Sequence, residues 1–448
     1  MHRILKTFGL SAVALAMAAV VSAAAEPKRG GTLTFSYHPE PSALSTIATT
    51  AVPVALISTK IFESLLEYKG PELTPVPGLA EAWTVTDDFK TFSFKLRGDV
   101  KWHDGQPFTS EDVKFSVEKL VRPFHSRGKV YFSELETIET PDARTVVFKL
   151  KKPVPFFLKA FQPTETPILP KHILGALDVS DGNKVRQSEF MQNPIGTGPF
   201  RLKEWKKGSH ITLERNQGYW KKDRPYLDQV IYRVIPDGAA RAIALETGEL
   251  DVAPMNAVPQ ADIGRLAQLG QLTLSNEGAE GLGPLLWLEL NIREKPLSDV
   301  RVRKAISMAL DRKRIVDVIW FGQGKAATGS IVSGNPILYN KSLKPFEYSI
   351  EKANKLLDEA GFPRGAGGVR FKITQYFTPY GESFVRLAEY TKQELRKIGI
   401  DVETKSADLG GWLKAIYTDW AYDLTNNLRT TTRIRQSEFS AHSLLPTS

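Results

Sequence analysis

The histidines and the short catalytic motifs are the first features of this chain that could do chemistry. Seven histidines occur among 448 residues, and no two have the H-x-x-x-H spacing that places two zinc ligands on one helix face. The sequence contains neither a G-x-S-x-G nucleophile motif nor a G-x-x-x-x-G-K-[ST] phosphate loop. It also contains no cysteine, which excludes thiolate catalysis and cysteine–zinc sites. We therefore predict a protein that is not an enzyme, with no catalytic residues, no metal ligands and no cofactor.

His103 and Asp104 form an adjacent pair that resembles a base and its orienting acid. They lie in the segment W-H-D-G-Q-P at 102–107, whose Asp, Gly and Pro are typical of a turn. Thr109 follows at a position where it can cap a helix, and Asp112 favours the positive end of that helix. We interpret the pair as part of a structural turn between a strand and a helix.

Composition and charge narrow the class of protein. The chain is 42% hydrophobic and 24% charged, with a formal charge of +9. These values are ordinary for a soluble protein of several domains. No run of Lys and Arg alternates with aromatic residues, so we expect no nucleic-acid partner.

The first 25 residues have the order of a secretory signal peptide. Arg3 and Lys6 precede an uncharged stretch from Thr7 to Ala25 that is mostly Ala, Val and Leu and ends in three alanines. We expect cleavage after Ala25 and export to the periplasm. An uncleaved membrane anchor is the alternative, because nineteen uncharged residues could just span a bilayer.

Alternating strands dominate the first half of the mature chain. Polar and apolar residues alternate over 32–37, 91–97 and 144–150, and 200–205 with 211–215 reads as a hairpin. A Gly/Pro-rich segment at 193–199 is typical of a hinge, although its glycines also suit ordinary turns. From residue 285 helical and strand patterns alternate, which predicts an α/β layer with parallel crossovers.

Several segments together resemble the family 5 extracytoplasmic solute-binding proteins of ABC transporters, the dipeptide, oligopeptide and nickel group. The order and spacing of the matching segments agree from about residue 29 to residue 427. The segments include Gly78–Trp83 (GLAEAW), Val100–Gly105 (VKWHDG), Gly196–Phe200 (GTGPF), Leu245–Asp251 (LETGELD) and Asp299–Arg303 (DVRVR).

This resemblance implies an α/β fold, a periplasmic-binding-protein-like two-lobed clamp of the class II type with an extra inserted domain. Residues 26–50 and 193–284 would form the first lobe, and residues 51–192 the inserted domain. Residues 285–427 would form the second lobe. A ligand would bind between the lobes, and the clamp would close around it by a hinge motion.

The resemblance also implies the function and the partners. The chain would capture di- or oligopeptides and deliver them to an ABC permease in the inner membrane, which works with a cytoplasmic ATPase. We expect a monomer. Alternative solutes are an oligosaccharide, an opine, a nickel chelate or haem, and an alternative role is a signalling or chaperone-like exported binder.

Candidate ligand-binding residues of the first lobe follow its first strand. The loop that contains Tyr37, His38 and Glu40 matches the region that faces the cleft in the family. Glu40 could meet a cationic amine of a ligand, or it could be a solvated loop acid.

Candidate residues of the second lobe lie on its first and last recognisable strands. Trp287 and Asn291 belong to the strand that enters the lobe, where Trp287 either meets ligand or packs in the core. Asn426 ends the last recognisable strand and either binds ligand or turns the chain.

Residues 428–448 depart from the family pattern. They are hydrophilic and show no periodicity. If Arg429 is encoded by CGN and the following threonines by ACN, a shifted reading frame permits Asn-Tyr-Asp-Pro, which resembles the family's Tyr-x-Asp-Pro segment at this place. We therefore expect a frameshifted and truncated product, with a divergent natural tail as the alternative.

Overall fold

The computed structural model describes residues 27–70, 73–254, 257–275, 284–293, 295–333 and 339–430. The predicted signal peptide and residues 431–448 of the tail lie outside these ranges. No helix within them is both long and apolar enough to cross a membrane.

Strands of the described residues form three four-stranded sheets and one small two-stranded sheet. They are β1 (Thr32–Ser36), β2 (Leu66–Lys69), β3 (Thr74–Pro77), β4 (Ala80–Val85), β5 (Thr91–Leu96), β6 (Leu135–Asp142), β7 (Thr145–Leu150), β8 (Phe200–Lys206), β9 (His210–Arg215), β10 (Gln229–Arg233), β11 (Pro284–Leu290), β12 (Phe371–Phe377), β13 (Ile400–Lys405) and β14 (Leu424–Thr430).

The α-helices of the described residues are mostly short. They are α1 (Val52–Ile61), α2 (Ser110–Phe115), α3 (Arg122–Phe124), α4 (Gly128–Tyr131), α5 (Lys171–Leu174), α6 (Gly182–Gln187), α7 (Gly238–Glu246), α8 (Gln260–Leu266), α9 (Val300–Met308), α10 (Arg312–Arg314), α11 (Ile350–Glu359), α12 (Glu382–Lys397) and α13 (Leu409–Tyr417). Two π-helical turns, Ser116–Val121 and Ile315–Ile319, and three 3₁₀ turns, Phe157–Ala160, Glu189–Met191 and Ala366–Gly368, complete the helical structure.

The first sheet has the order β1-β10-β9-β8 and joins distant parts of the chain. β1 pairs in parallel with β10, with Thr32 opposite Gln229. β8 and β9 form the predicted hairpin. β1 is therefore held by a segment that follows about two hundred residues later.

The second sheet, β4-β5-β7-β6, is antiparallel throughout. Phe92, Phe94 and Leu96 are buried on one face of β5, as their alternation predicts. The helix expected from Thr109 is present as α2, and the Asp112 carboxylate accepts a hydrogen bond of 2.9 Å from the Thr109 amide. One continuous apolar core connects this sheet with the first sheet.

The third sheet has the order β11-β14-β12-β13. β12 runs parallel to both β13 and β14, as the sequence predicts, while β11 is antiparallel to β14. Leu395 of α12 packs in the apolar core over one face, and Trp412 of α13 bonds to Thr425 of β14. β14 continues to Thr430, three residues beyond the predicted end of the second lobe at 427.

The predicted hinge at Gly196 and Gly198 is a tight packing junction. A first side-chain carbon at Gly196 would lie 1.9 Å from the backbone oxygen of Ile61, and one at Gly198 would lie 2.6 Å from it. The Gly198 amide donates a hydrogen bond of 2.9 Å to the same oxygen. We therefore correct the hinge interpretation: these glycines allow the backbone to approach the end of α1.

Candidate functional site

β1 and β12 each run parallel to a neighbouring strand of their own sheet. Their carboxyl ends lead into the region where the first and third sheets approach each other. Tyr37 follows β1 directly, and Tyr380 follows β12 after Thr378 and Pro379. Burial raises the pKa of Tyr380, and the nearby Tyr37 adds to this effect. Because ligands of α/β proteins bind beyond the carboxyl ends of such strands, this region is the candidate site.

Tyr37 contributes a buried hydroxyl to this region. Its side chain is 1% exposed, and its hydroxyl has no hydrogen-bond partner in the structure. Burial raises the pKa of Tyr37 to about 12, against a smaller opposing effect of Arg241. Tyr232 holds the loop of residues 37–39 in place, because its hydroxyl donates to the carbonyl oxygens of Tyr37 and Pro39. Tyr37 is therefore fixed in place with an unused polar atom.

Arg241 of α7 places a positive charge near Tyr37, on the wall of the candidate site that the first-sheet unit forms. The buried guanidinium donates to the carbonyl oxygens of Ala257, Ile235 and Pro236. It forms no ion pair with a carboxylate of the described residues. Burial lowers the pKa of His38, and the charge of Arg241 lowers it further.

The second wall lies on the third sheet and carries unused amide groups. Asn426 of β14 is 1% exposed, and its side-chain oxygen accepts a hydrogen bond of 3.2 Å from Gln375 of β12. The Asn426 Nδ2 and the Gln375 Oε1 have no partner, and the same holds for the indole Nε1 of Trp287 on β11. Buried polar atoms are rarely left unpaired in native proteins, so these atoms point to a ligand or to ordered water.

The loop after β12 connects the two walls. The Thr378 hydroxyl donates to the backbone oxygen of Asn426. The Val52 backbone amide, at the start of α1, forms a hydrogen bond with the Tyr380 hydroxyl that lowers its pKa against the stronger effect of burial. Ala51 packs against the apolar cluster that contains Tyr380.

Glu40 is hydrogen-bonded to the first sheet. Its carboxylate accepts hydrogen bonds from the Trp205 indole at 2.8 Å and from the Gly208 amide at 3.1 Å. Both partners belong to the β8–β9 hairpin. These bonds tie the loop after β1 to the hairpin, and a contact of Glu40 with a ligand amine stays a prediction.

Asn291 lies just beyond the carboxyl end of β11, away from the candidate site. Trp287 pairs with Asn427, whereas Asn291 follows the other end of β11 and its amide donates to the Asp423 oxygen. Its side chain donates to the carbonyl oxygen of Tyr422 at 3.0 Å. A separation of four residues along a strand is about 13 Å, so Asn291 is removed from the candidate site.

His103 and Asp104 do not act as a pair. The His103 Nδ1 accepts from the Gly196 amide at 3.2 Å, and its Nε2 lies 3.0 Å from the Gly198 oxygen. Burial lowers the pKa of His103 to about 4, so the ring is neutral at pH 7. Asp104 bonds instead to His172 at 2.8 Å. The structural-turn interpretation agrees with these contacts.

Two cavities of the described residues lie near the sheets, and their volumes do not show which of them belongs to the functional site. The larger, of about 670 Å³, lies between β2, β3 and the segment 219–227, and no predicted site residue lines it. The smaller, of about 390 Å³, is lined by Trp287 and Asn426 among others. Within the described residues, no cluster of three or more His, Asp or Glu side chains could hold a metal ion.

The fold and the site define a class of protein. The α/β fold, in which Tyr37 after β1 lies near Tyr380 after β12, has the two-lobed architecture of a periplasmic-type binding protein. The sequence matches the model of bacterial extracellular solute-binding proteins, family 5, over residues 74–447. The chain belongs to this family. The match includes residues 428–447, which the sequence analysis set apart as an aberrant tail.

Individual relatives carry peptide or opine names. The dipeptide-binding protein of Escherichia coli K12 is 30% identical over 91% of this chain and 76% of its own length. The oligopeptide-binding protein AppA of Bacillus subtilis, solved with a nonapeptide, matches with a TM-score of 0.79 and 28% identity, over 91% of this chain and 81% of that chain. AgaA of A. tumefaciens R10, solved with agropinic acid, matches at 0.77 and 30%, over 89% of this chain and 77% of that chain.

Four residues of the candidate site are absent from the sequence-based predictions: Gln375, Thr378, Tyr380 and Arg241. The alternation of patterns from residue 285 predicts strands without their ends, and β12 extends to Phe377. The Thr-Pro-Tyr-Gly turn that follows the strand was the available signal for Tyr380. Arg241 has no sequence signal, because its position depends on the packing of α7 beneath the first strand.

Proposed function

We propose that this chain is the solute-capturing component of an ABC importer and that its solutes are di- and oligopeptides. The observation that carries this proposal is the combination of a family 5 match with unpaired buried polar atoms on the two walls of the candidate site. A relative named as a dipeptide-binding protein covers 91% of the chain. The solved structure of AppA contains a nonapeptide.

The unpaired atoms suit a peptide backbone, which presents one donor and one acceptor per residue. Asn426 and Trp287 offer donors, Gln375 offers an acceptor, and the Tyr37 hydroxyl offers both. Pairing to the backbone rather than to side chains gives affinity with tolerance of sequence. Closure of the two lobes would exclude water from these bonds and strengthen them.

We further propose the cellular setting. Residues 1–25 would direct export and be removed, and the mature monomer would work in the periplasm. It would deliver unaltered solute to an inner-membrane permease and its cytoplasmic ATPase. Deleting residues 1–25 should retain the protein in the cytoplasm, which fractionation of cells would detect. Release of the mature protein into the periplasm by the deleted form would contradict this part of the proposal.

An opine is the second candidate solute, because AgaA was solved with agropinic acid and is 30% identical. The domain limits at 50, 192 and 284 also remain proposals.

Native mass spectrometry of the protein purified from the periplasm tests the proposal directly, since the mass of a retained solute identifies its class. Thermal shift with dipeptides to hexapeptides then measures binding, because a ligand of the native state raises apparent stability. Agropinic acid belongs in the same panel. A shift with peptides supports the proposal, whereas a shift with agropinic acid alone replaces it with the opine assignment. Hydrolysis of the peptides would contradict it.

A further inference from the structure

The cavity of about 390 Å³ in the third-sheet unit has features that peptide capture does not require. It lies between β11, the helices α9 and α12, and the turn that follows α10. Its walls are largely leucine and isoleucine, including Leu288, Leu310 and Leu387. Its volume falls within the range of about 300–1,000 Å³ that is usual for small-molecule sites.

The charged groups of this cavity are all cationic. Arg303, Arg312 and Lys344 line it, and no Asp or Glu is among its lining residues. Arg312 donates to the Ser307 hydroxyl at 2.6 Å and to the Ser307 carbonyl oxygen at 3.1 Å. Arg303 donates to the carbonyl oxygens of Leu297 and Ser298. Both guanidinium groups are therefore bonded to neutral oxygens.

The acid beside Arg303 does not neutralise this charge. Asp299 lies close enough to Arg303 for the arginine to contribute to its lowered pKa, but its carboxylate bonds to Arg301 at 2.7 Å. Burial lowers the pKa of Arg312, as expected for a cation without a counter-ion. An anion in the cavity would relieve this imbalance.

Two unused donors add to the cationic groups. The Asn426 Nδ2 and the Trp287 Nε1 are buried without a partner, and both residues line the cavity. Asn426 is 1% exposed, so its donor cannot be satisfied by bulk water. A carboxylate, which accepts up to four hydrogen bonds, suits two neutral donors and two guanidinium groups.

We propose that this cavity is a binding site for a small amphipathic carboxylate, with the apolar stem against the leucine walls and the carboxylate toward Arg312 and Asn426. The charge excludes cations, and the apolar walls disfavour small polar anions. This site shares the Asn426 and Trp287 donors with the second wall of the peptide site proposed above, and its other lining residues all belong to the third-sheet unit.

Isothermal titration with three probes of equal chain length tests the proposal. Octanoate carries the carboxylate, octanamide is its neutral counterpart, and octylamine is the cation. Octanoate should bind at least about ten-fold more tightly than either other probe, because a charge-assisted hydrogen bond contributes about this factor. Equal affinities for octanoate and octylamine, or no binding of octanoate at millimolar concentration, would overturn the proposal.

Variants locate the octanoate. Arg312→Gln should weaken octanoate binding about ten-fold, while Lys313→Gln serves as the matched control. Lys313 is the next residue, is highly exposed and pairs with Asp317 rather than lining the cavity. If Arg312→Gln does not fold, Lys344→Gln replaces it, with an expected loss of about two- to three-fold. Unchanged affinity in the folded variant would place octanoate elsewhere.

A second titration identifies the source of the carboxylate. Octanoate is added to protein saturated with the tightest peptide of the panel. If the peptide blocks octanoate, the two ligands share the Asn426 and Trp287 donors; if both bind together, these donors serve the carboxylate and not the peptide. Either result supports the site. If no peptide binds but octanoate does, the peptide assignment fails and the carboxylate site stands.

Discussion

The junction around Glu63 and the region around Asn426 of β14 differ in how their buried polar groups are hydrogen-bonded. The Glu63 carboxylate accepts hydrogen bonds from the Tyr219 hydroxyl at 2.8 Å and from the Trp220 indole at 3.1 Å. Asn426, in contrast, keeps an amide nitrogen without any partner. Both residues are buried, so burial alone does not distinguish a structural group from a binding group. The hydrogen bonds of these two residues differ, and an unpaired buried donor such as that of Asn426 costs free energy that a ligand can recover.

A substitution that disturbs the close packing of the junction should have the largest effect on the free energy of unfolding. Gly196→Ala would place a carbon 1.9 Å from the Ile61 oxygen, so the backbone must move, and we expect a loss of about 3 kcal/mol or more in the free energy of unfolding. Urea denaturation measures it. Gly264→Ala in α8, where no atom lies within 4 Å, is the control and should gain up to about 1 kcal/mol. Equal stability of Gly196→Ala and wild type would show that the junction is loosely packed.

Titration of Glu63 should make the stability of the junction depend on pH. Burial raises the pKa of Glu63 from 4.5 to about 7, against the bonds from Tyr219, Trp220 and Thr197. The folded chain therefore keeps this proton to a higher pH than the unfolded chain does. Its contribution to stability is complete below about pH 4.5 and is lost as the pH rises through about 7.

Glu63→Gln tests this dependence, because glutamine keeps the shape and stays neutral. Between pH 4.5 and 7.5, wild type should lose on the order of 2–3 kcal/mol relative to the variant. Glu67→Gln, which removes a neighbouring carboxylate paired with Lys221, should not reproduce the trend. Parallel pH profiles of wild type and Glu63→Gln would mean that Glu63 titrates normally.

The second wall should respond more in binding than in stability. Trp287→Phe removes the unused indole donor without adding a charge, and we expect about a ten-fold loss of peptide affinity. Asn291→Asp removes the donor that bonds to Tyr422 beyond the carboxyl end of β11, so it should cost about 1 kcal/mol of stability and leave affinity unchanged. Calorimetry and denaturation of both variants measure the two quantities. The reverse pattern would return Asn291 to the binding site.

The smallest expected effect is a difference in stability between phenylalanine variants of Tyr37 and Tyr232. Tyr37→Phe removes a hydroxyl that has no partner, so the free protein should gain up to about 1 kcal/mol while peptide affinity falls. Tyr232→Phe removes a hydroxyl that donates to the Pro39 oxygen at 3.2 Å and should lose about 1 kcal/mol. Thermal unfolding compares them. A destabilised Tyr37→Phe would place its hydroxyl with the structural groups.

Local patterns predicted most of the fold. The alternation of Phe92, Phe94 and Leu96 places them on the buried face of β5, and Asp112 bonds to the Thr109 amide as the capping pattern requires. Such features depend on residues a few positions apart, so they can be read without tertiary information. The family motifs predicted the class of protein in the same way, because their spacing is also local.

The candidate site was predictable only in part. Tyr37 follows the end of β1, whereas Trp287 and Asn426 lie within β11 and β14, and all three belong to strands that local periodicity predicts. Glu40 bonds to Trp205, which is 165 positions away, and no local pattern reveals that partner.

The sequence by itself determined the elements, the family and the strands to which the candidate residues belong. Only the tertiary structure decided which of the polar groups are already bonded within the protein and which are left unpaired. The physical reason is that hydrogen-bond satisfaction depends on atoms brought together across the whole chain, as the distance in sequence between Asn291 and Tyr422 illustrates.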